Sequence, residues 1–315
     1  MSLAVRLLMI DFRHHSLTIV AIFMMLGVGI LIGERLALPA QIKQQTKTLA
    51  VLQEQVDGAV QDGREAKRRL AHIEHAIDVL RARVVPGKLA GKRVEIVVCG
   101  DYPQAAYAAA TALTDAGATS AAQIDITDKL VEINPDERGG LLQSMTSTDQ
   151  PADPTAQIPA DVNQTDLLRP LMAVLHTGTD ASEDGASMIA TLVNQRDISV
   201  SGDISQPCSL FVVIGGRNED GIPPESLVAD TESGIVAGLL DQGMDVSVVG
   251  CEPLDAVISS IPNYQKEQIP TVDCIDQPLG ELDLPFALRG DKADYGLKST
   301  AGRELPASLE EQNHP

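Results

Sequence analysis

The chain has 315 residues with 24 Lys and Arg against 44 Asp and Glu, a formal net charge of −20. That balance excludes a nucleic-acid binder, because a phosphate backbone calls for a patch of Lys and Arg. With no Trp, four Phe and four Tyr, the sequence also lacks aromatic residues interleaved with basic ones for stacking bases.

Residues 1–15 form a short N-terminal tail, too small to be a domain. Ser16 to Gly33 (SLTIVAIFMMLGVGILIG) contains no charged residue, and a run of ~18 apolar residues reaches the lower limit for spanning a bilayer. The apolar core of a cleaved signal peptide is shorter, ~7–15 residues, and ends in small residues. Here the exit reads Leu36-Ala37-Leu38-Pro39-Ala40, so an uncleaved transmembrane anchor over 16–38 is expected. Arg6 and Arg13 precede the span and Arg35, Lys43 and Lys47 follow it, so the positive-inside count leaves its orientation open. Gly29 and Gly33 lie one turn apart, a spacing that lets two helix backbones approach closely in lipid.

Residues 40–85 read as a coiled-coil stalk. Ile42, Leu49, Val56, Gly63, Leu70, Ile77 and Val84 recur every seven residues, and Leu52, Ala59, Ala66, Ile73 and Leu80 fill the position three further on. This is an a/d heptad seam, with polar Gln45 and Gly63 as imperfections. Gly58 and Gly63 each cost on the order of 1 kcal/mol of helix propensity, which predicts a soft spot. In a parallel dimer Asp62 would face Lys67, and Arg69 would face Glu74, both attractive pairs. The alternative is one amphipathic helix folded back on its own domain. His72 and His75 have a spacing that can grip a metal, but they fall outside the seam, where a plain solvated face is the simpler reading.

Pro86-Gly87 ends the helix, and the pattern then changes to an α/β domain over 92–290. Arg93–Cys99 is an apolar strand, Gln104–Ala116 an alanine-rich helix closed by Gly117, and Gln123–Ile126 a second strand. That β-α-β order implies a parallel sheet. Ser147–Gln164, rich in Pro, Asp, Thr and Gln, reads as a surface loop. Helices are expected over Asp166–His176, Gly185–Gln195 and Ser226–Gln242. Strands are expected over Ser209–Ile214 and Asp245–Val249, with short ones at Ala256–Ser260 and Thr271–Ile275. The whole predicts a three-layer α/β domain with a mostly parallel sheet, then a loosely held polar C-terminal tail over 291–315.

Strand ends followed by glycine are where such folds bind ligands, which singles out Gly100-Asp101 and Gly215-Gly216-Arg217-Asn218. Neither forms a phosphate-binding loop, and a simple chain reversal is the plainer reading. Cys99, Cys208, Cys251 and Cys274 contain no C-x-x-C pair and sit in apolar runs, so they read as buried thiols, with an interstrand disulfide left open. His176 is the sole His of the domain body, and nothing near it in sequence completes a triad. Asp273 and Asp276 could hold a cation or, more ordinarily, cap a loop. No constellation points to an enzyme.

The run Arg13-His14-His15-Ser16-Leu17, continuing through Ala21-Ile22-Phe23 to Gly27-Val28-Gly29-Ile30-Leu31-Ile32-Gly33, resembles the start of the MctB-like copper transporter family. The order of anchor, coiled coil and α/β domain is similar too. Val272-Asp273-Cys274-Ile275-Asp276, then Gly280 and Ala287-Leu288, resembles that family's V-D-N-x-D…G…A-L stretch, with Cys274 where Asn is expected. Asp294-Tyr295-Gly296 is similar to its H-Y-G. The resemblance implies a bacterial cell-envelope protein with a role in copper transport or metal homeostasis, its distal domain extracytoplasmic. Some members are described as pore-forming in an outer membrane; others are implicated as membrane-anchored partners in cell separation. Soft copper ligands would be Cys, Met or His. Met24 and Met25 are adjacent and point to different sides of the helix, and the four cysteines could meet only if their strands do. The alternative to a copper role is a non-enzymatic dimeric scaffold that recruits an envelope protein partner in cell separation or wall remodelling.

Overall fold

The computed structural model describes residues 3–146, 162–218 and 224–310. The chain divides into two compact units, residues 1–72 and 73–315. Helix α1, Leu3–Val84, runs through the division. The two segments predicted on either side of Pro39 are thus one continuous helix, which also passes through Gly58 and Gly63. Pro39 lacks the N–H that would bond one turn back and crowds the carbonyl there, yet the helix is continuous across it.

In the first unit the helix is exposed wherever its side chains are described. His14–Ile32 is long and apolar enough to cross a membrane, with a mean hydropathy of 2.3. Leu49, Leu52, Val56 and Leu70 lie 50–65% exposed. Gly29 has open space where a side chain would be. Gly33 and Ile42 lie outside the residues whose surroundings are described.

The second unit is α/β. After α1 come β1 (Arg93–Val98), α2 (Pro103–Asp115), β2 (Ser120–Ile126), α3 (Asp128–Val131) and α4 (Pro135–Thr146). Next are α5 (Gln164–Thr177), α6 (Glu183–Gln195), β3 (Ile198–Ser201), β4 (Leu210–Ile214), α7 (Glu225–Leu240) and β5 (Ser247–Cys251). The last elements are α8 (Ile261–Lys266), β6 (Thr271–Val272), α9 (Pro278–Leu288), β7 (Asp294–Tyr295) and α10 (Ala307–Glu310). The seven strands are ordered β3-β2-β1-β4-β5-β6-β7. Among the strand pairs of the described residues, only β2–β3 is antiparallel.

Side-chain alternation along the strands builds two cores. Val94, Ile96 and Val98 of β1 join Val212, Ile214 and Val249 on one face, while Val97, Phe211, Val213 and Val248 point into the other. The first face is covered by α2 and α9. Ala105, Ala106, Ala109, Ala112 and Leu113 form a narrow helical stripe, so α2 can lie close to the sheet. Gly117, at a φ of +84°, turns the chain after α2 in a conformation that a side chain would oppose. The second face is covered by α5, α6, α7 and α8.

Several expectations change. Ile77 and Val84, assigned by spacing to a partner seam, pack against the domain's own core beside Val85 and Leu89. Arg81 reinforces that end of the helix through ion pairs with Glu281 of α9 and, at 3.8 Å, Asp115. The heptad register continues there, with Ile77 and Val84 partly buried against the sheet unit. Ala256–Ser260 is not a strand; it meets Arg217 in a single bridge at Ile258 and runs into α8. The tail is not loose from 294 onward. Strand β7 pairs with β6, and Leu305 and Leu309 pack on the core, because that polar stretch carries apolar residues at the right places. The domain therefore extends past 290. Of the predicted loop, residues 147–161 lie outside the described residues; Asn163 caps α5 by accepting the Asp166 N–H at 2.8 Å.

Candidate functional site

Strand order reverses between β1 and β4, the place where open α/β sheets ordinarily bind ligands at their carboxyl ends. Here the two loops at that point are joined to each other. Cys99 N–H donates to the Ile214 carbonyl at 2.9 Å and Asp101 N–H to the Gly216 carbonyl at 3.1 Å. Gly100 lies so close that a β-carbon would strike the Gly215 and Gly216 carbonyls. Arg217, 3% exposed, fills the remaining space. Its guanidinium reaches Asp128 at 3.0 Å, Asp101 at 3.6 Å and the Cys99 carbonyl at 3.4 Å. A buried cation needs such partners to offset lost hydration. The geometry therefore accords with the reading of these glycine loops as chain reversals.

Next to Arg217 lies a buried polar network centred on Ser260. The Ser260 hydroxyl accepts the Gly216 N–H at 2.7 Å and donates to Glu232. Asn263 also donates to Glu232, at 3.1 Å. Burial pushes the Glu232 carboxyl up to about 7 against those two hydrogen bonds, and Glu252 adds to the rise. Glu252 accepts from the Ser260 N–H and the Ser259 hydroxyl, each at 2.7 Å. It also accepts from Lys298, at 2.5 Å. Each group here holds a loop in place.

Asp273 and Asp276 are occupied in the same manner. Asp273 accepts the Leu297 and Lys298 N–H groups at 2.8 and 3.0 Å. Gly296 is pressed against that carboxylate, with no room for a side chain. Asp276 accepts the Leu254 N–H at 2.7 Å. The V-D-x-x-D and D-Y-G stretches, apart in sequence, are two halves of one clasp.

Sequence reasoning missed Glu232, Glu252, Ser260 and Lys298. One signal existed: Glu232 falls on the same helical face as Val228, Ile235 and Val236, where a carboxylate is out of place unless bonded.

Residues 9–306 match the family described as copper transport outer membrane protein, MctB. The chain belongs to that family. No curated protein matches it.

The MctB description raises the question of soft ligands. All four cysteines are free thiols and buried. Cys99 and Cys208 lie in the core on one face of the sheet and Cys251 in the core on the other. Burial pushes all four thiols upward, away from the thiolate that binds copper. His176 Nδ1 bonds the Cys208 carbonyl at 2.7 Å. His72 and His75 are exposed on α1. Among the described residues no group of three or more His, Cys, Asp or Glu could hold a metal ion. Met24 and Met25, 72% and 79% exposed, place two thioethers on the apolar span.

Proposed function

We propose that the chain is a single-pass envelope protein that serves copper transport in a non-catalytic role, working as a parallel pair of chains with the α/β domain on the extracytoplasmic side. The family match across residues 9–306 carries the reading. Copper enters as cargo. One apolar helix encloses no passage through a bilayer, since a spanning path must be walled by several helices or a closed barrel. A transport role therefore requires more than one chain. Exposed Leu49, Leu52, Val56, Leu70 and Ile73 at heptad spacing support a self-association seam, and the open flank of Gly29 supports close approach within the span. Met24 and Met25 lie ~100° apart around the helix, so one can turn to a partner while the other meets lipid. Thioethers suit Cu(I).

The test is genetic and biochemical together. A strain lacking the protein is expected to be copper-sensitive and to be restored by the parent gene but less fully by Met24→Leu with Met25→Leu. Purified full-length protein is expected to take Cu(I) from a weak chelator. Normal copper tolerance together with no Cu(I) binding would overturn the reading. A scaffold that recruits a cell-separation partner would then be the reading to pursue by crosslinking.

A further inference from the structure

At the amino edge of the sheet, outside the starts of β1, β4 and β5, lies an open groove of about 500 Å³. This is the opposite edge from the Arg217 network. Buried Leu89 and Leu288 help to floor it, and Lys88, Lys92, Arg289 and Asp245 line it. Three cations thus share a groove with one carboxylate, in a chain whose net charge is −20.

Part of the unit's basic set is tied up in ion pairs and part, which includes these three cations, is not. Arg81, Arg93, Lys129, Arg169, Arg217 and Lys298 are all engaged in ion pairs. Lys88, Lys92 and Arg289 have none among the described residues. Lys88 is held instead with its ammonium 4.6 Å from the centre of the Phe286 ring, a contact that positions the charge without neutralising it. The helix end beside them does not use them either. The Leu288 carbonyl accepts the Ser247 hydroxyl at 3.1 Å. The Phe286 and Ala287 carbonyls accept the N–H groups of Arg289 and Gly290, each at 3.1 Å. The last turn of α9 is therefore satisfied from the backbone and from Ser247.

We propose that this groove binds a phosphate-bearing anion. A guanidinium offers paired donors that match phosphate oxygens, and two ammonium groups add point charges. The proposal rests on this unit's geometry and is independent of the copper reading.

Full-length protein in zwitterionic nanodiscs, titrated calorimetrically with inorganic pyrophosphate and separately with soluble dihexanoyl phosphatidylglycerol, provides the test. Binding of at least one probe is expected, weakening as salt rises. Lys92→Glu with Arg289→Glu should weaken it by at least about tenfold, and Asp245→Asn should strengthen it. A response to pyrophosphate alone identifies a free phosphate ligand, and a response to the lipid alone identifies a headgroup. Binding of neither probe by the parent overturns the proposal. So does an unchanged response in the double variant, which would leave the cations as solvated surface charges only. Should the double variant not fold, as read by circular dichroism, Lys92→Gln on the exposed rim decides the matter in the same way.

Discussion

The two units of the chain solve opposite problems with similar residues. In the α/β unit Val, Ile and Leu are interior; Val97, Phe211, Val212 and Ile214 are fully buried. In the helical unit the same residue types face outward. Leu17, Phe23 and Met25 on the apolar span are 68–79% exposed, and Leu49 and Val56 further along are 58–65% exposed. The sheet unit supplies its own apolar surroundings. The helix by itself leaves its apolar surface uncovered, and an unpartnered stripe of this extent is unfavourable in water.

That contrast can be attacked most forcefully inside the sheet unit. Gly280 sits against the Cys274 backbone with no space for a β-carbon. Gly280→Val should cost several kcal/mol, on the order of 3 or more, and leave little folded protein by circular dichroism. Next in size is the clasp. Asp273→Ala leaves the Leu297 and Lys298 N–H groups unpaired, and chemical denaturation should show a loss of about 1–3 kcal/mol.

A third effect depends on pH. Asp283 is fully buried with neither carboxyl oxygen bonded. Burial first, then nearby Asp273 and Asp291, raises it from its ordinary 3.8 to about 9. The folded chain keeps a proton that the unfolded chain releases, so this contribution is full below roughly pH 4 and is lost as pH rises towards 9. Glu95, raised by burial to about 8, and Glu232, raised to about 7, act in the same direction. Asp283→Asn should therefore melt above the parent at pH 8 and lose that advantage near pH 4. An equal difference at both values would show that the carboxyl is ionised in the fold.

The smallest effect on stability belongs to the helix. Leu52→Ser with Val56→Ser should leave the thermal melt of the α/β unit within about 0.5 kcal/mol of the parent, while reducing self-association in sedimentation of the full-length protein in nanodiscs. A loss of domain stability in this variant would erase the distinction between the units.

Much of the fold was legible because strands such as SLFVVI and an alanine-rich helix bounded by glycine announce themselves by pattern. The antiparallel β3 (ISVS), half polar and at the sheet's edge, did not. Nor did β7, which is two residues long and sits beside the backbone that Asp273 holds; β6 was legible within the predicted Thr271–Ile275 strand. The polar network stayed hidden for a similar reason. Glu232, Glu252, Ser260 and Lys298 are 8 to 38 residues from their neighbours in sequence, and only the folded sheet edge gathers them. Ile77 and Val84 pack on the unit's own core, a contact that was not legible because a heptad shows which face is apolar and not what covers it.

The clasp between Asp273 and the Gly296-Leu297-Lys298 backbone has a consequence for biosynthesis. Residues 294–309 complete the sheet's edge and part of its core, and they are made after Asp273. A chain still being made has an Asp273 with nothing to hold, so the domain cannot finish folding until residues 297 and 298 are present. Closure of this edge therefore waits on a segment more than twenty residues downstream of the carboxylate that holds it.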